Sequence, residues 1–319
     1  MTHKTIGGYN ILLTGVSGLL GNNMAFYLRK NNQVSGTYNT HPVAIPGVRT
    51  FDLDLVEYPA VRSLVRQIRP NLVIHCASRV DVDVIEEEKD EGWQANVIAT
   101  RVLLDALRDI EAKFVHISTD SVYSGEDGQI KEDMAPAPCN WYGKTKLASE
   151  SLVIGRAKSL ILRTNIYGWN IQNKRSLAEW FLIRLQDNHQ TMGFSDARFS
   201  SIYTFLLAEI IAKCILHGLE GIYNCGCRDS WSKSEFGQRI AERFDLNPNL
   251  IFPVSIDQSG LKARRAKDLS LSVDRLENDL EEPLPTMFES LNRFYADWKR
   301  DIPGQIKRCL SEDLNGIRT

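Results

Sequence analysis

Apolar and polar positions alternate between two periods along the first half of the chain. Asn10–Thr14 (NILLT) is an apolar run that ends in glycines, and residues 20–30 then carry helical spacing. Gln33–Tyr38 and residues 48–53 read as a second and a third strand. Within 59–69, Val61, Leu64, Val65 and Ile68 fall on one helical face, and Pro59 suits the first turn, where a missing N–H leaves nothing unpaired. Residues 72–77 (LVIHCA) are almost continuously apolar, the pattern of a strand buried on both faces. One helix is expected over about 87–108, then a strand over 113–118, a helix from Tyr142 and a strand over 159–163.

Strands that alternate with helices of this length imply βαβ units. Right-handed crossovers then place helices on both faces of a parallel sheet. The expected fold is α/β: a Rossmann-like, doubly wound parallel sheet with a smaller C-terminal substrate-binding subdomain. Past Tyr167 the rhythm loosens. Residues 176–185, 205–216, 233–244 and 287–298 predict helices, Gly221–Cys225 a strand, and 251–271 a loop. The expected division is 1–168 for the Rossmann domain and 169–302 mainly for the subdomain, interleaved with the sheet. Residues 303–319 form a tail without a strong pattern.

Composition narrows the function classes. Over 319 residues the net charge is -2 and the charged fraction 24%, with no basic excess of the kind nucleic-acid binders carry. No apolar run approaches the roughly 20 residues of a membrane span. The opening MTHKTIGGYN lacks the apolar core of a signal peptide, so a cytoplasmic protein is expected. Of six cysteines only Cys225 and Cys227 are close, and no second pair follows, so no metal site is expected.

The chemistry starts in T-G-V-S-G-L-L-G, between the first strand and the first helix. Gly15 permits a tight turn, Gly18 leaves room for a pyrophosphate, and Gly21 lets helix and strand approach. The helix N-terminus adds N–H groups and a positive dipole end. Ser17, Leu19 and Leu20 complete this dinucleotide-binding turn. No acidic residue ends the second strand to select NAD through the ribose 2′-OH, and no arginine stands there for a 2′-phosphate; Tyr38 and Asn39 occupy the position. Either NAD(H) or NADP(H) is therefore expected, with NADP(H) weakly favoured. Tyr142 and Lys146 lie four residues apart on one predicted helix, so both side chains can face one cleft. A phenol with a pKa of roughly 10 exchanges protons near neutrality only if a nearby cation lowers that value. Lys146 is expected to do so. Ser118 and Thr119 end the fifth strand, where sheets of this type bind ligands.

These motifs resemble those of the extended short-chain dehydrogenases/reductases, and particularly of dTDP-4-dehydrorhamnose reductase. The resemblance rests on G-x-x-G-x-x-G, then Val82-Asp83…Glu86, then STDSVYSG from Ser118, then Pro138-Cys-Asn140-Trp-Tyr142-Gly-Lys-Thr-Lys146. It implies reduction of a keto group on a nucleotide-linked sugar by NAD(P)H. Thr119 would polarise the carbonyl, Tyr142 would be the acid/base, and Lys146 would hold Tyr142 and the nicotinamide ribose. Asp54 and Leu55 would sit beside the adenine, with Asp52 the alternative to Asp54. Cys76, Ala77, Ser78 and Arg79 would run along the cofactor, with Asn96 and Asn165 nearby. Val80, Asp120, Ser121, Arg198 and Arg264 would face the substrate, with Arg265 a further candidate for its diphosphate. There are departures: Ser121 replaces an aromatic, Val80 a threonine, and Arg163-Thr-Asn165-Ile-Tyr167-Gly168 is nearer the epimerase pattern. A nucleotide-sugar epimerase that retains oxidised cofactor is the alternative. So is a non-catalytic, cofactor-binding protein like the regulatory subunit of methionine adenosyltransferase. A homodimer is the prior expectation for a soluble oligomer.

Overall fold

The structure is a computed structural model that describes residues 6–126 and 128–310. Its centre is a seven-stranded sheet: β1 (Asn10–Thr14), β2 (Gln33–Tyr38), β3 (Val48–Asp52), β4 (Leu72–His75), β5 (Lys113–Thr119), β6 (Ser159–Thr164) and β7 (Gly221–Cys225). The order is β3-β2-β1-β4-β5-β6-β7, and every pairing is parallel. The expected doubly wound fold is therefore present. β7 comes from the second half of the chain and completes the sheet beside β6.

Strand alternation sets the two faces. Leu12, Val73, Phe114 and Ile161 pack against α2 (Tyr58–Ile68), α5 (Ala99–Ala106) and α6 (Trp141–Val153). Ile11, Leu13, Ile74, Val115 and Leu162 face the other way, into a core shared with α1 (Leu19–Leu28), α7 (Leu177–Gln186), α8 (Thr204–Leu216), α9 (Lys233–Arg243) and α11 (Met287–Lys299). This second core runs without a break from Ile6 to Cys309, so the C-terminal part shares one apolar interior with the sheet. Ser176, Ser232 and Thr286 each start a helix with a reciprocal capping box to a glutamate three residues on.

Three expectations need correction. The helix expected over 87–108 is broken. It consists of α3 (Val82–Glu87), α4 (Lys89–Trp93), a π-turn over Gln94–Ile98 and then α5. The π-turn buries Asn96 and carries it toward the loop after β4, a demand that the apolar period does not register. The segment 251–271 is not simply a loop. Ile251–Val254 pairs with Thr191–Phe194, and Asp268–Leu269 pairs with Arg198–Phe199, which also pairs with Trp231–Ser232. Two-residue strands are too short to show a period of 2. The start of the tail is ordered as α12 (Ile302–Lys307), with Ile306 buried; α10 (Asp274–Leu280) was likewise unread. Residues 311–319 lie outside the described residues.

Toward the C-terminal end of the sheet the apolar rows give way to polar ones. Thr14, His75 and His116 are adjacent on β1, β4 and β5, all buried. His75 is held through both ring nitrogens, by Thr14 at 2.8 Å and Thr100 at 3.0 Å. Burial drives its pKa down to about 3, helped by the Lys146 charge, and drives His116 well below the usual value. The native state thus keeps both rings neutral, whereas the unfolded chain takes up protons below about pH 6.5. Stability should fall as pH drops below 6.5, by up to about 1.4 kcal/mol per pH unit for each histidine. Urea midpoints at pH 7, 6 and 5 test this, and a midpoint that does not move would contradict neutral burial.

Candidate active site

The glycine turn is built as its spacing requires. Gly15 has φ +73, and a Cβ there would lie 2.8 Å from the Ala77 backbone. A Cβ on Gly21 would lie 2.1 Å from the Gly15 carbonyl oxygen. Both are glycine for close backbone approach. Gly18 differs: a Cβ would meet only the Gly15 oxygen, at 3.3 Å. Its missing side chain therefore serves the space outside the turn. No side chain caps α1 at Gly18, which leaves first-turn N–H groups toward that space. These residues fit a dinucleotide pyrophosphate.

Beside the turn, Asn96 organises the loop that follows β4. Its amide oxygen accepts from the Ser78 hydroxyl at 2.9 Å and the Arg79 N–H at 2.8 Å. Its amide nitrogen donates to the Arg79 carbonyl at 3.0 Å and the Thr145 hydroxyl at 2.9 Å. With both donors and its acceptor occupied, Asn96 ties this loop to α6. Asp54 accepts from the Val56 N–H at 3.1 Å and shapes the turn after β3, while Leu55 is buried. Tyr38, Cys76 and Ala77 are half-buried, and Asn39 is exposed.

α6 starts at the C-terminal end of β5. Asn140 caps it by accepting from the Gly143 N–H at 2.9 Å, and Glu86 of α3 accepts from the Trp141 N–H at 2.8 Å. A Cβ on Gly143 would lie 2.2 Å from the Ser121 carbonyl oxygen, so this glycine lets α6 close onto the end of β5. The approach sets Tyr142 beside Thr119, close enough for the threonine hydroxyl to act on the phenol. Thr119 also donates to Asp120 at 3.1 Å, and Asp120 accepts from Ser121 at 3.2 Å and Asn165 at 2.8 Å.

The protonation states differ from the expectation. Burial pushes the Tyr142 phenol up to about 12; the Thr119 bond opposes this and the Asp120 charge adds to it. The lowering expected from Lys146 does not appear among the influences on the phenol, and desolvation of a phenolate prevails. Lys146 is buried, with Nζ 3.5 Å from His116 Nε2. Burial lowers its pKa to about 8, against the pull of Glu150 and Cys76. At pH 7 Tyr142 is therefore a phenol and Lys146 mostly an ammonium.

Under α6 runs a buried ionic chain that sequence reading missed. Glu150 accepts from the Ser118 hydroxyl and, at 2.7 Å, from Arg163, whose guanidinium also donates to Tyr123 at 2.7 Å. Tyr123 reaches Asn224 of β7 at 3.1 Å. The available signal was Arg163 inside an otherwise apolar strand (SLILRT), since a buried arginine demands a buried carboxylate.

The substrate-side residues are less convergent. Arg198 is committed to the Ser230 carbonyl at 2.8 Å and Glu235 at 3.4 Å. Arg79 pairs with Glu88 and Glu91. Val80 and Arg264 are exposed, and the Arg264 carbonyl accepts from Asn140 at 3.0 Å. Arg265 pairs with Asp83 at 2.9 Å. Among the described residues no cluster could hold a metal ion, and no helix is long and apolar enough to cross a membrane.

Known proteins resemble this chain over nearly its whole length. The structure of a hypothetical dTDP-4-dehydrorhamnose reductase from Sulfolobus tokodaii is 30% identical, with a TM-score of 0.79, covering 88% of this chain and 98% of that one. A dTDP-4-dehydrorhamnose reductase from Bacillus anthracis, solved in complex with NADP, is 28% identical with a TM-score of 0.79, covering 90% and 98%. Among curated relatives, a methionine adenosyltransferase 2 subunit beta of Danio rerio is 28% identical over 84% of each chain. A probable low-salt glycan biosynthesis reductase of Haloferax volcanii is 28% identical over 88% of this chain and 95% of its own. The model of the RmlD substrate binding domain matches residues 9–300, and the chain belongs to that family.

Proposed function

We propose that this chain is an NAD(P)H-dependent oxidoreductase that reduces a keto group on a nucleotide-linked sugar, with NADP(H) favoured. The observation that carries the reading is the juxtaposition of Tyr142 and Thr119 at the C-terminal end of β5, where Gly143 closes α6 onto Ser121, at the sheet end that also bears the Gly15–Gly18–Gly21 turn. Bound reduced nicotinamide would supply the hydride. Tyr142, protonated at neutral pH, supplies the proton to the carbonyl oxygen. Thr119 would turn its one hydroxyl proton from Asp120 to that same oxygen and stabilise the charge that develops on it. Lys146, on the buried face of α6, holds a positive charge and is the residue of this helix suited to the nicotinamide ribose. Ser118 positions Glu150, and Asn96 keeps Ser78 and Arg79 along the cofactor edge. The NADP complex of the Bacillus anthracis reductase supports the cofactor choice, as does the lack of an acidic residue after β2.

The likeness to the methionine adenosyltransferase subunit over 84% of both chains favours a second reading, in which cofactor binds without turnover. Absorbance of NADPH or NADH with a panel of 4-keto nucleotide sugars separates the two. Stoichiometric loss with one sugar, faster with NADPH, is the expected result. Tight cofactor binding with no loss for any of them would support the second.

A further inference from the structure

Lys146 is 3% exposed, and among the described residues its ammonium makes one hydrogen bond, with His116 Nε2 at 3.5 Å. The other polar groups near it are engaged elsewhere or uncharged. Glu150, one helical turn on, holds Ser118 and Arg163. Tyr142, one turn before, stands beside Thr119. Cys76, just after β4, is a thiol that desolvation keeps protonated, and His75 is neutral, its ring 5.5 Å from that of His116. His116 is itself fully buried. Its Nε2 also lies 3.1 Å from the Ser149 hydroxyl oxygen, which is 2.7 Å from the Lys146 carbonyl. Its Nδ1 is buried with no partner among the described residues. Strand alternation sends His116 and Ser118 to the α6 side of the sheet, so β5 touches Lys146 through one and Glu150 through the other.

A neutral imidazole has two tautomers, and the surroundings choose between them. With the proton on Nε2, His116 donates to Ser149, and the Lys146 ammonium faces an N–H and has no acceptor. With the proton on Nδ1, Nε2 accepts from Lys146, and the Ser149 hydroxyl can turn to the same nitrogen. Nδ1 lacks a partner in both forms, so it does not decide. The ammonium does, because a desolvated charge without an acceptor costs more than a neutral group without one. His75 takes the reverse form. Thr100 donates to the Asn96 carbonyl at 2.7 Å and so accepts from His75 Nε2, while Thr14 accepts from the Ala77 N–H and donates to His75 Nδ1. We propose that His116 is a positioning residue whose Nε2 accepts from the Lys146 ammonium and fixes where that charge stands in the cleft. The inference rests on the reading of Lys146 as the cation that meets the cofactor. A hydrogen bond to the charged form also favours that form, so His116 should hold the Lys146 proton to higher pH.

The test is NMR of the full chain with isotopically labelled histidine and lysine. In unmutated protein His116 should carry its proton on Nδ1 with Nε2 bare, the opposite of His75, a result that needs no variant. The Lys146 signal, assigned by its loss in Lys146→Arg, should titrate at about 8. In His116→Leu the ammonium loses its acceptor, so that midpoint should fall by about one pH unit, a roughly tenfold change for one hydrogen bond to a charged group. His116→Gln returns an acceptor oxygen near the place of Nε2 and should restore most of the shift. NADPH affinity, followed by fluorescence across pH, should decline at correspondingly lower pH in His116→Leu. A protonated Nε2 on His116, or a Lys146 midpoint unmoved in His116→Leu, overturns the inference. If His116→Leu does not fold, the tautomer and His116→Gln decide. A midpoint that shifts while NADPH affinity does not would retain the role of His116 and remove Lys146 from the cofactor site. NADPH affinity that declines at the same pH in all three proteins would do the reverse.

Discussion

Tyr142→Phe is expected to lower kcat by roughly two to four orders of magnitude, the usual contribution of a positioned general acid. NADPH affinity should stay within about threefold, since the variant removes one oxygen and leaves the ring and the glycine turn in place. The change removes only the hydroxyl beside Thr119 and keeps the ring, so the fold should tolerate it. Thr119→Val removes the other half of the pair and should also act on kcat. The two measurements needed are single-turnover oxidation of NADPH with the accepted keto sugar and a fluorescence titration of cofactor. Equal loss of turnover and of cofactor binding in Tyr142→Phe would show that Tyr142 holds the cofactor, and would remove its assignment as proton donor. The protonation states add a pH signature. Tyr142 remains a phenol up to about 12, whereas Lys146 loses its proton above about 8. Turnover that depends on the Lys146 charge should therefore decline above pH 8, with cofactor affinity falling in step.

The second large effect concerns stability. Glu150 and Arg163 have side-chain exposures of 0% and 3%, and their ion pair is 2.7 Å long. Glu150→Gln should destabilise the protein by about 3–5 kcal/mol, because it leaves a buried guanidinium without a counter-charge. The double variant Glu150→Met, Arg163→Met should recover much of that loss, since neither charge is then buried. Urea denaturation of the three proteins checks both statements. A loss below about 1 kcal/mol in Glu150→Gln would mean that water reaches Arg163, as in exposed pairs. The same carboxylate holds Ser118, one residue before Thr119, and stands one helical turn after Lys146. Glu150→Gln should thus reduce turnover as well, in a protein that still binds NADPH.

Much of the fold was legible in the chain before any coordinates. β4 (LVIH) is buried at every position, and α2 buries the four residues that its spacing named. Local rules suffice there because the apolar period of an element states which of its faces is covered. The glycine turn was legible for a similar reason: Gly15 and Gly21 answer to backbone clashes a few residues away. The π-turn at Gln94–Ile98 was not, because its purpose is a set of bonds from Asn96 to Arg79 and Thr145, distant in sequence.

The sequence by itself determined the parallel α/β plan, the turn at Gly15–Gly21 and the candidacy of Thr119, Tyr142 and Lys146. Each depends on residue type at short spacing, where sterics and periodicity act. The tertiary structure decided the rest. It placed Glu86 on the first turn of α6, joined Glu150 to Arg163, and committed Arg198 to Glu235 and Ser230. It also decided that Tyr142 titrates upward, since desolvation depends on everything packed around a group. Charge balance and burial are sums over residues far apart in the chain, and no local pattern carries them.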